Sequence, residues 1–571
     1  MNRPVDETAG LSANERIKAR SRLLRGSILE GLKDPLTGAI AEEDTQLTKF
    51  HGTYQQDDRD LRQERLAQKL EPLYSFMIRV RVPGGVCTPR QWLELDRLAT
   101  RHANGTLRLT TRQAFQFHGV LKRNLRDTIY RINQSLLDTL AACGDVNRNV
   151  MCGVVPERSD LHAQAYGATV AIADRLLPQT GAYHEIWLGR QRLAGGEPER
   201  EPLYGETYLP RKFKIAVAVP PRNDVDVYAN DLGFIAIEDG TGGLAGFNVC
   251  VGGGLGRTHG EEETYPRLAD VIGFCRPDRV ADLAQQVVTI QRDYGDRQNR
   301  KRARFKYTID DRGLDWFREE LQRRLGWKLD EARACHFDQS GDDYGWVQGR
   351  DGLWYGTLFI ENGRVADRPD YPLMTGLRRV VEALEKRGRG ELRLTGNQNL
   401  CIAALSDADR QMVEALLSEH GIMADRSGAS ALRRASMACV ALPTCGLAMA
   451  EAERYLPHLV SRLDEIMAAS GLSDDPIVVR MTGCPNGCGR PYLGEVGLVG
   501  KSPGHYQLWL GASPQGDRLN QLYRESLDEE ELLAILTPLI RRYAVERHPQ
   551  ERFGDFVVRV GIVDNPMAFE I

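Results

Sequence analysis

The sequence predicts an α+β protein with a duplicated, pseudo-twofold architecture around a central cofactor cleft. The first observation is a repeated motif, R-L-T-T-R-Q at residues 108–113 and R-L-T-G-N-Q at residues 393–398. A repeat of such long period indicates duplication of whole domains rather than a solenoid. The second observation is that only the second half carries four cysteines set among glycine and proline residues. Two related halves leave a cleft between them, which is a natural place for a large cofactor.

Composition and charge exclude several classes of function. The chain has 571 residues, enough for several domains with sizeable cores. Its net charge of −4 gives no overall basic field, so we expect neither nucleic acid nor a membrane as a partner. No apolar run approaches the roughly 18 residues that span a bilayer. The eleven cysteines are clustered, and the N-terminal residues lack a secretory pattern, so we expect a cytoplasmic protein.

The elements of the first half follow in order. Residues 1–70 are polar and helix-leaning, and we interpret them as an N-terminal arm. The alternating segment F-M-I-R-V-R-V, which begins at Phe76, predicts a strand that ends at the turn Pro83-Gly84-Gly85. An apolar pattern over residues 92–99 predicts a helix, and residues 107–119 predict a return strand.

The second half repeats this order. Residues 354–360 predict a strand that closes at Glu361-Asn362-Gly363, residues 376–387 a helix, and residues 391–400 the return strand. Three later pairs of segments correspond more loosely: residues 147–153 with 436–445, residues 211–219 with 477–484, and residues 246–256 with 506–512. Chance similarity between short strands is the alternative explanation for these later pairs.

The four cysteines follow the spacing C-x5-C-x38-C-x3-C, at Cys439, Cys445, Cys484 and Cys488. Four thiolates brought together hold an iron–sulfur cluster or a zinc ion. Zinc sites favour C-x2-C pairs, which neither half contains. The surrounding glycines let backbone amides approach cluster sulfurs, so the pattern favours an iron–sulfur cluster. Buried structural cysteines are the alternative, but nothing would then place them in two such pairs.

A set of cations lies at predicted strand ends and in loops. Its members are Arg79, Arg81, Arg108, Arg112, Arg148, Arg211, Lys212 and Lys214. Lys212 and Lys214 are two residues apart on one predicted strand, so both point to one face, and the apolar residues 215–219 indicate an internal strand. Two ammonium groups on an internal strand are costly unless an anion meets them. A solvated edge strand is the alternative.

Two further segments bear on the choice of cofactor. The basic residues 297–306 form a solvated face if taken alone, but beside a polyanionic cofactor they become a carboxylate clamp with Arg304 pointing inward. The segment V-G-G-G-L-G at residues 251–256 does not spell G-x-G-x-x-G, so we predict no dinucleotide site there. Its glycines equally suit close approach of the backbone to a flat macrocycle.

The motif T-G-C-P-N-G-C-G-R at residues 482–490, with the upstream C-x5-C pair, resembles the signature of the siroheme-containing sulfite and nitrite reductases. The resemblance extends from residues 51–60 to F-G-D-F at residues 553–556, and it is closest to the members that receive electrons from NADPH. It implies two ferredoxin-like repeats and two mixed α/β sulfite/nitrite reductase domains. The expected division is an arm at residues 1–70, repeat 1 at 71–140, the first reductase domain at 141–335, repeat 2 at 336–425, and the second reductase domain at 426–571.

The resemblance also implies two cofactors and their ligands. It implies a [4Fe-4S] cluster held by the four cysteines, with Cys488 bridging the cluster to the iron of a siroheme. It implies that the substrate anion is gripped on the open face of the siroheme by Arg79, Arg148, Lys212 and Lys214. The side chains expected to contact the macrocycle are Arg108, Arg112, Gln116, His118, Arg304 and Asn486.

The implied reaction is the six-electron reduction of sulfite to sulfide in assimilatory sulfate reduction and cysteine biosynthesis. A heme coupled to an iron–sulfur cluster suits this six-electron reaction, because such a pair transfers electrons one at a time. Arginine stays protonated and suits binding of the dianion, whereas a lysine among cations has a lowered pKa and suits proton donation. A siroheme nitrite reductase and a non-catalytic zinc protein stay open as alternatives. The resemblance implies a flavoprotein (alpha) subunit as electron donor, in a hetero-oligomer, with ferredoxin as the alternative donor.

Overall fold

Helices and sheets run through both halves of the chain in matching order. The structure is a computed structural model that describes residues 10–179, 186–188, 191–194, 201–422 and 429–564. Within these residues, three five-stranded sheets and one four-stranded sheet form the framework, and three two-stranded ribbons accompany them.

The N-terminal arm lies across both halves. Its elements are helices α1 (Ala13–Arg20), α2 (Ile28–Lys33) and α3 (Glu42–Leu47), strand β1 (Thr53–Asp57) and helix α4 (Arg62–Ala67). Strand β1 pairs with residues 74–78 of the first repeat. Just beyond β1, Arg59 donates its backbone N–H to the carbonyl of Pro443 in the second half, at 3.2 Å. Residues 1–9 of the predicted arm lie outside the described residues.

The first repeat contains the predicted strand and helix. Its elements are β2 (Tyr74–Val80), β3 (Val86–Cys87), α5 (Pro89–His102), β4 (Leu107–Leu109), β5 (Phe115–Val120) and α6 (Lys122–Gln134). Helix α5 begins at a capping box, in which Thr88 and Gln91 each accept the other's backbone N–H, and this satisfies two exposed donors of the first turn. Its apolar face is buried against the sheet, including Trp92, Leu95 and Leu98.

The predicted strand over residues 107–119 is wrong, because the segment is a hairpin. Strand β4 ends at Leu109, and the backbone N–H of Gln113 donates to the carbonyl of Thr110 at 3.1 Å before β5 begins. Gln113 holds the turn with a φ of 50°. Turns with positive φ normally carry glycine or asparagine, so a glutamine gave no signal in the sequence.

The first mixed α/β region follows the hairpin repeat. Its elements are α7 (Asp160–Arg175), β6 (Ile186–Leu188), β7 (Gln191–Ala194), β8 (Ile215–Ala218), β9 (Arg222–Asn223), β10 (Leu232–Glu238), β11 (Leu244–Val251), β12 (Asp270–Cys275), α8 (Val280–Tyr294), α9 (Phe305–Arg312) and α10 (Leu314–Leu325). The predicted strand over residues 211–219 begins late, so Lys212 and Lys214 precede it. It is also the last strand of the sheet β12-β11-β10-β8 rather than an internal one. Met151 forms a parallel bridge to Ala216, and this covers its outer edge.

The second repeat has the same plan as the first. Its elements are β13 (Gln339–Ser340), β14 (Gly345–Gln348), β15 (Trp354–Leu358), β16 (Arg364–Val365), β17 (Asp367–Arg368), β18 (Tyr371–Pro372), α11 (Leu373–Arg387), β19 (Glu391–Leu394), β20 (Leu400–Leu405) and α12 (Asp407–Glu419). The predicted strand over residues 391–400 is again a hairpin, β19 and β20, and its turn again uses a glutamine, Gln398, with a φ of 71°.

The two repeats exchange an edge strand. Their sheets have the orders β1-β2-β5-β4-β16 and β14-β15-β20-β19-β3, so each sheet ends on a two-residue strand from the other repeat. Arg364 pairs with Arg108 in one sheet, and Val86 pairs with Arg393 in the other. One apolar cluster runs through both repeats, so they fold as one unit with a shared core.

The second mixed α/β region closes the chain. Its elements are α13 (Ala431–Arg434), β21 (Met437–Ala438), α14 (Leu456–Ala469), β22 (Val479–Thr482), β23 (Val496–Ser502), β24 (His505–Leu510), β25 (Gln521–Leu527), α15 (Glu529–Glu546) and α16 (Phe553–Arg559). None of the helices in the described part of the chain is long and apolar enough to cross a membrane.

The two mixed regions share one local plan. In each, a strand leads through a loop to a residue with positive φ, one turn of 3₁₀ helix and a second strand. The positive-φ residues are Asp226 and Arg490, with φ of 47° and 55°. Residues 215–238 and 479–502 have equal length, and in both the flanking strands, the positive-φ residue and the 3₁₀ turn fall at the same offsets, so positions correspond one to one. The loop after β8 is therefore the counterpart of the loop that carries Cys484 and Cys488. The five-part domain division stays a prediction.

Candidate active site

The carboxyl ends of two neighbouring parallel strands bring the cysteines together. Strands β21 and β22 pair in parallel. Cys439 follows β21 directly, and Cys484 follows β22 after one residue. The backbone N–H of Gly483 donates to Cys439 Sγ at 3.4 Å, and Asn486 Nδ2 donates to Cys484 Sγ at 3.6 Å. Such donors stabilise thiolates and tune a bound cluster.

The four thiols also influence one another electrostatically. Burial, followed by the nearby Cys488, raises the pKa of Cys439, Cys445 and Cys484, the last to about 11. A positively charged metal centre would reverse this effect, because it favours the deprotonated thiol.

The arrangement of the thiols bears on the choice between a single ion and a cluster. Within the described ranges, no three His, Cys, Asp or Glu side chains lie close enough to hold one metal ion. A tetrahedral zinc site would need all four sulfurs within about 2.3 Å of one point. The preference for an iron–sulfur cluster rests on the cysteine pattern in the sequence.

Glycines leave the space that a cluster needs. A Cβ on Gly483 would lie 2.5 Å from the carbonyl of Ala450, and one on Gly489 would lie 2.6 Å from the carbonyl of Met481. Larger residues would therefore push apart the loops that hold the cysteines.

Cys488 opens into a basic cleft between the halves. It is exposed, whereas Cys484 is buried. The cleft is lined by residues of both halves. Its walls include five residues named from the sequence: Arg112, Lys214, Arg304, Asn486 and Cys488. An exposed thiol among cations suits a ligand shared with an anionic cofactor.

The four cations expected at the substrate cluster around the same cleft. Electrostatic interactions link Cys488 with Arg79, Lys212 and Lys214, and link Arg148 with Lys212. Burial, then Arg211 and Arg304, lowers the pKa of Lys212 to about 7. Burial, then Lys212, lowers the pKa of Lys214 well below its usual value. Both ammonium groups thus release protons more readily than a solvated lysine.

Arg79 and Arg148 are held in fixed orientations by neutral partners. Arg79 Nη1 donates to Cys143 Sγ at 3.2 Å, and its Nε donates to the amide oxygen of Gln116 at 3.1 Å when that amide faces it. Arg148 Nη2 donates to the carbonyl of Gly144 at 2.7 Å. Because these contacts do not neutralise the guanidinium charge, it remains available to an anion.

The side chains expected at the macrocycle carry unpaired buried nitrogens. Atoms without a hydrogen-bond partner among the described residues include both ring nitrogens of His118 and the Nε of Arg108, Arg112 and Arg304. Burial, then Arg364 and Arg108, lowers the pKa of His118 well below its usual value. A buried donor without a partner costs about 1–3 kcal/mol. Carboxylates of a siroheme would satisfy such donors, so the residues present fit that cofactor.

Several residues at the site were not found by the sequence reasoning. Asp231 is buried and accepts the backbone N–H of Lys214 at 2.9 Å and Arg304 Nη2 at 3.0 Å, so it fixes two predicted site residues. Asn149 donates Nδ2 to the carbonyls of Val82 and Arg112 at 2.7 and 2.9 Å. The signal for Asp231 was its counterpart Glu495, which accepts the backbone N–H of Val478 at 2.8 Å in the second copy.

The first copy has no cysteines at the corresponding places. The position of Cys484 is taken by Pro220 and that of Cys488 by Asp224. Asp224 lines a cavity of about 260 Å³ together with Asp342. Burial, then Asp342, raises the pKa of Asp224 to about 7. The thiol ligand set is thus confined to the second copy.

Comparisons with known proteins agree with this fold. Residues 68–134 and 347–420 match the nitrite/sulfite reductase ferredoxin-like half domain, and residues 167–329 match the nitrite and sulphite reductase 4Fe-4S domain. The second match lies in the first copy and does not reach the four cysteines. The fold and site together define a reductase that carries a metal cluster and a tetrapyrrole.

Similar full-length proteins come from several bacteria. The chain is 59% identical to the sulfite reductase [NADPH] hemoprotein beta-component of Myxococcus xanthus, over 97% of this chain and 98% of that protein. It is 56% identical to the protein of the same name from Bacillus subtilis, over 96% and 95%. The structure of Mycobacterium tuberculosis NirA is similar, with a TM-score of 0.78, 27% identity and 97% of each chain covered. The chain belongs to the nitrite and sulfite reductase family, and its predicted α+β duplicated fold is confirmed.

Proposed function

We propose that this protein reduces sulfite to sulfide with six electrons, at a siroheme coupled to a [4Fe-4S] cluster. The observation that carries the proposal is the opening of Cys488 into a cleft lined by Arg112, Lys214 and Arg304. Relatives with 56–59% identity over nearly the whole chain, all named sulfite reductase [NADPH] hemoprotein beta-component, support it.

The cysteines and the residues of the basic cleft would bind different cofactors. Cys439, Cys445, Cys484 and Cys488 would hold the cluster, and Cys488 would also ligate the siroheme iron. The donors of Arg108, Arg112 and Arg304, with Gln116, His118 and Asn486, would meet the macrocycle. When bound, the pair would supply electrons to the substrate one at a time.

The chain's own cations bind the anion and supply protons. Arg79 and Arg148 remain charged and fix the sulfite oxygens in place. Lys212 and Lys214 donate protons from Nζ to oxygen as it leaves as water, since their lowered pKa values favour release. The burial of Lys212 and Lys214 strengthens each of these electrostatic contacts.

The partners follow from the same proposal. The names of the relatives, a beta-component that uses NADPH, support a flavoprotein alpha-component as electron donor and a hetero-oligomer with it. We also propose the cytoplasm as location, supported by eleven cysteines that are all free. The five-part division at residues 70, 140, 335 and 425 belongs to the same proposal.

Side-by-side steady-state kinetics with sulfite and nitrite test the function. The protein is purified from cells that make siroheme, and reduced methyl viologen supplies the electrons. We expect sulfide from sulfite, with kcat/KM for sulfite above that for nitrite. Turnover of nitrite without sulfide formation would instead establish a nitrite reductase, which is the second candidate.

A further inference from the structure

One cluster ligand lies on a loop at the outer surface. Cys445 is half-buried, in contrast to the buried Cys484, and Gly446 and Leu447 follow it at the tip of the loop. Leu447 is 67% exposed and is among the most exposed large apolar side chains of the described residues. Cys488 also reaches solvent, but through the cleft that the macrocycle would fill. The Cys445 loop (residues 442–448) is therefore a surface from which the cluster can be approached with the macrocycle in place.

The Cys445 loop is held rigidly by the arm. Arg59 Nη1 donates to the carbonyls of Cys445 and Ala448, at 3.2 and 2.5 Å, and its backbone N–H donates to Pro443. The backbone N–H of Cys445 donates to the carbonyl of Ala441 at 3.0 Å. A loop fixed in this way loses little conformational freedom when a partner docks.

The arm residue that follows Arg59 belongs to a group of paired charges. Asp60 pairs with Arg454 at 2.7 Å, and Arg454 also pairs with Glu451. An exposed apolar side chain beside charged groups is a common composition of a protein interface. Small interfaces are typical of electron-transfer contacts, which can form and separate within a larger complex of the two proteins.

We propose that the Cys445 loop, with Leu447 at its centre, is the docking surface for a protein that delivers electrons from a reduced flavin. This inference rests on the proposed function. Each encounter moves one electron, so the partner's flavin is oxidised by one electron and the cluster is reduced by one. Six such transfers supply one sulfite. Docking on this loop brings the flavin close to Cys445, and electron transfer falls steeply with distance.

The test compares two electron sources and adds a physical readout of contact. Leu447→Glu is prepared as loaded enzyme, with Leu136→Glu as control, since Leu136 is a leucine 90% exposed on another surface. Turnover is measured with NADPH plus a bacterial sulfite reductase flavoprotein component, and separately with reduced methyl viologen. Loss of one central apolar anchor should lower the flavoprotein-driven rate about tenfold at limiting flavoprotein. The viologen-driven rate should not change, and the control should match the wild type in both.

A photo-crosslinking residue placed at position 447 supplies the second readout. We expect an ultraviolet-induced crosslink to the flavoprotein from position 447 and none from position 136. The docking surface would be overturned by an unchanged flavoprotein-driven rate in Leu447→Glu, or by the absence of a crosslink from position 447. In either case, formation of sulfide with reduced methyl viologen would still support the proposed function. If Leu447→Glu loses its cluster, Leu447→Ser replaces it in the same comparison. Failure of the wild type to make sulfide with viologen would count against the function itself.

Discussion

The buried carboxylate of Asp231 is the most informative position to perturb. Asp231→Asn keeps the size of the side chain and an oxygen that can accept the backbone N–H of Lys214. It removes the negative charge that faces Arg304, whose guanidinium lies 3.0 Å from both carboxylate oxygens and is nearly buried. The substitution thus leaves one buried cation without its counter-ion.

The expected loss can be sized from this geometry. Removing one partner of a buried ion pair costs about 3–5 kcal/mol, because the remaining charge stays desolvated. With a urea slope of about 3 kcal/mol/M, the unfolding midpoint of the cofactor-free protein should fall by about 1–1.7 M. The siroheme-loaded protein should lose less, since a carboxylate of the macrocycle gives Arg304 a second partner.

The duplication supplies a matched control in Glu495→Gln. Glu495 is fully buried and accepts Val478 N at 2.8 Å, Gly554 N at 2.9 Å and Arg552 Nη2 at 2.8 Å, so it does the same structural task away from the cleft. We expect Glu495→Gln to lower the midpoint while the KM for sulfite stays unchanged. Asp231→Asn should lower the midpoint and raise that KM. An unaltered midpoint in cofactor-free Asp231→Asn would refute the reasoning about the buried pair.

Four further predictions concern the cleft and the cluster. Sulfite turnover should fall on the alkaline side by about tenfold per pH unit, because Lys212 is protonated below its pKa of about 7 and neutral above it. Carboxylates of a bound siroheme raise that pKa, so the alkaline fall in turnover should begin at or above pH 7. A pH–rate profile measures it. Lys212→Met should cut turnover far more than cluster content, and full turnover in the loaded variant would contradict a role in proton donation. The Cys488→Ser variant should lose both iron and the Soret band. The control variant Cys335→Ser, which changes a half-buried thiol outside the site, should keep both. An iron assay and absorption spectra measure the two outcomes. Arg59→Met removes the two side-chain hydrogen bonds to the Cys445 loop, so we expect faster loss of cluster absorbance in air, and a rate equal to the wild type would contradict that stabilising role.

The chemistry-bearing residues were accessible from the sequence because their signals are local. The cysteine spacing at Cys484 and Cys488 is readable without any contact map, and the repeated R-L-T motif reveals the duplication. Asp231 was not accessible in this way. Taken alone, an aspartate before an apolar strand has no distinctive pattern, and only its correspondence with Glu495 in the second copy marks it. Its importance also depends on Arg304, which is distant along the chain.

The wrong predictions of secondary structure each have a physical explanation. Apolar alternation continues through residues 107–119, so periodicity alone predicts one strand, and the reversal depends on an unusual left-handed Gln113. The exchanged edge strands, Val86–Cys87 and Arg364–Val365, are two residues long and carry no periodicity at all. Only the packing of one repeat on the other defines them.

The number of electrons consumed for each sulfide formed tests the central claim most directly. Purified siroheme-loaded protein is given sulfite and a measured excess of reduced methyl viologen, and sulfide is titrated against viologen oxidised. We expect six one-electron equivalents to be consumed for each sulfide formed. Viologen oxidation without sulfide, or a protein that binds neither iron nor tetrapyrrole in cells that supply both, would contradict it.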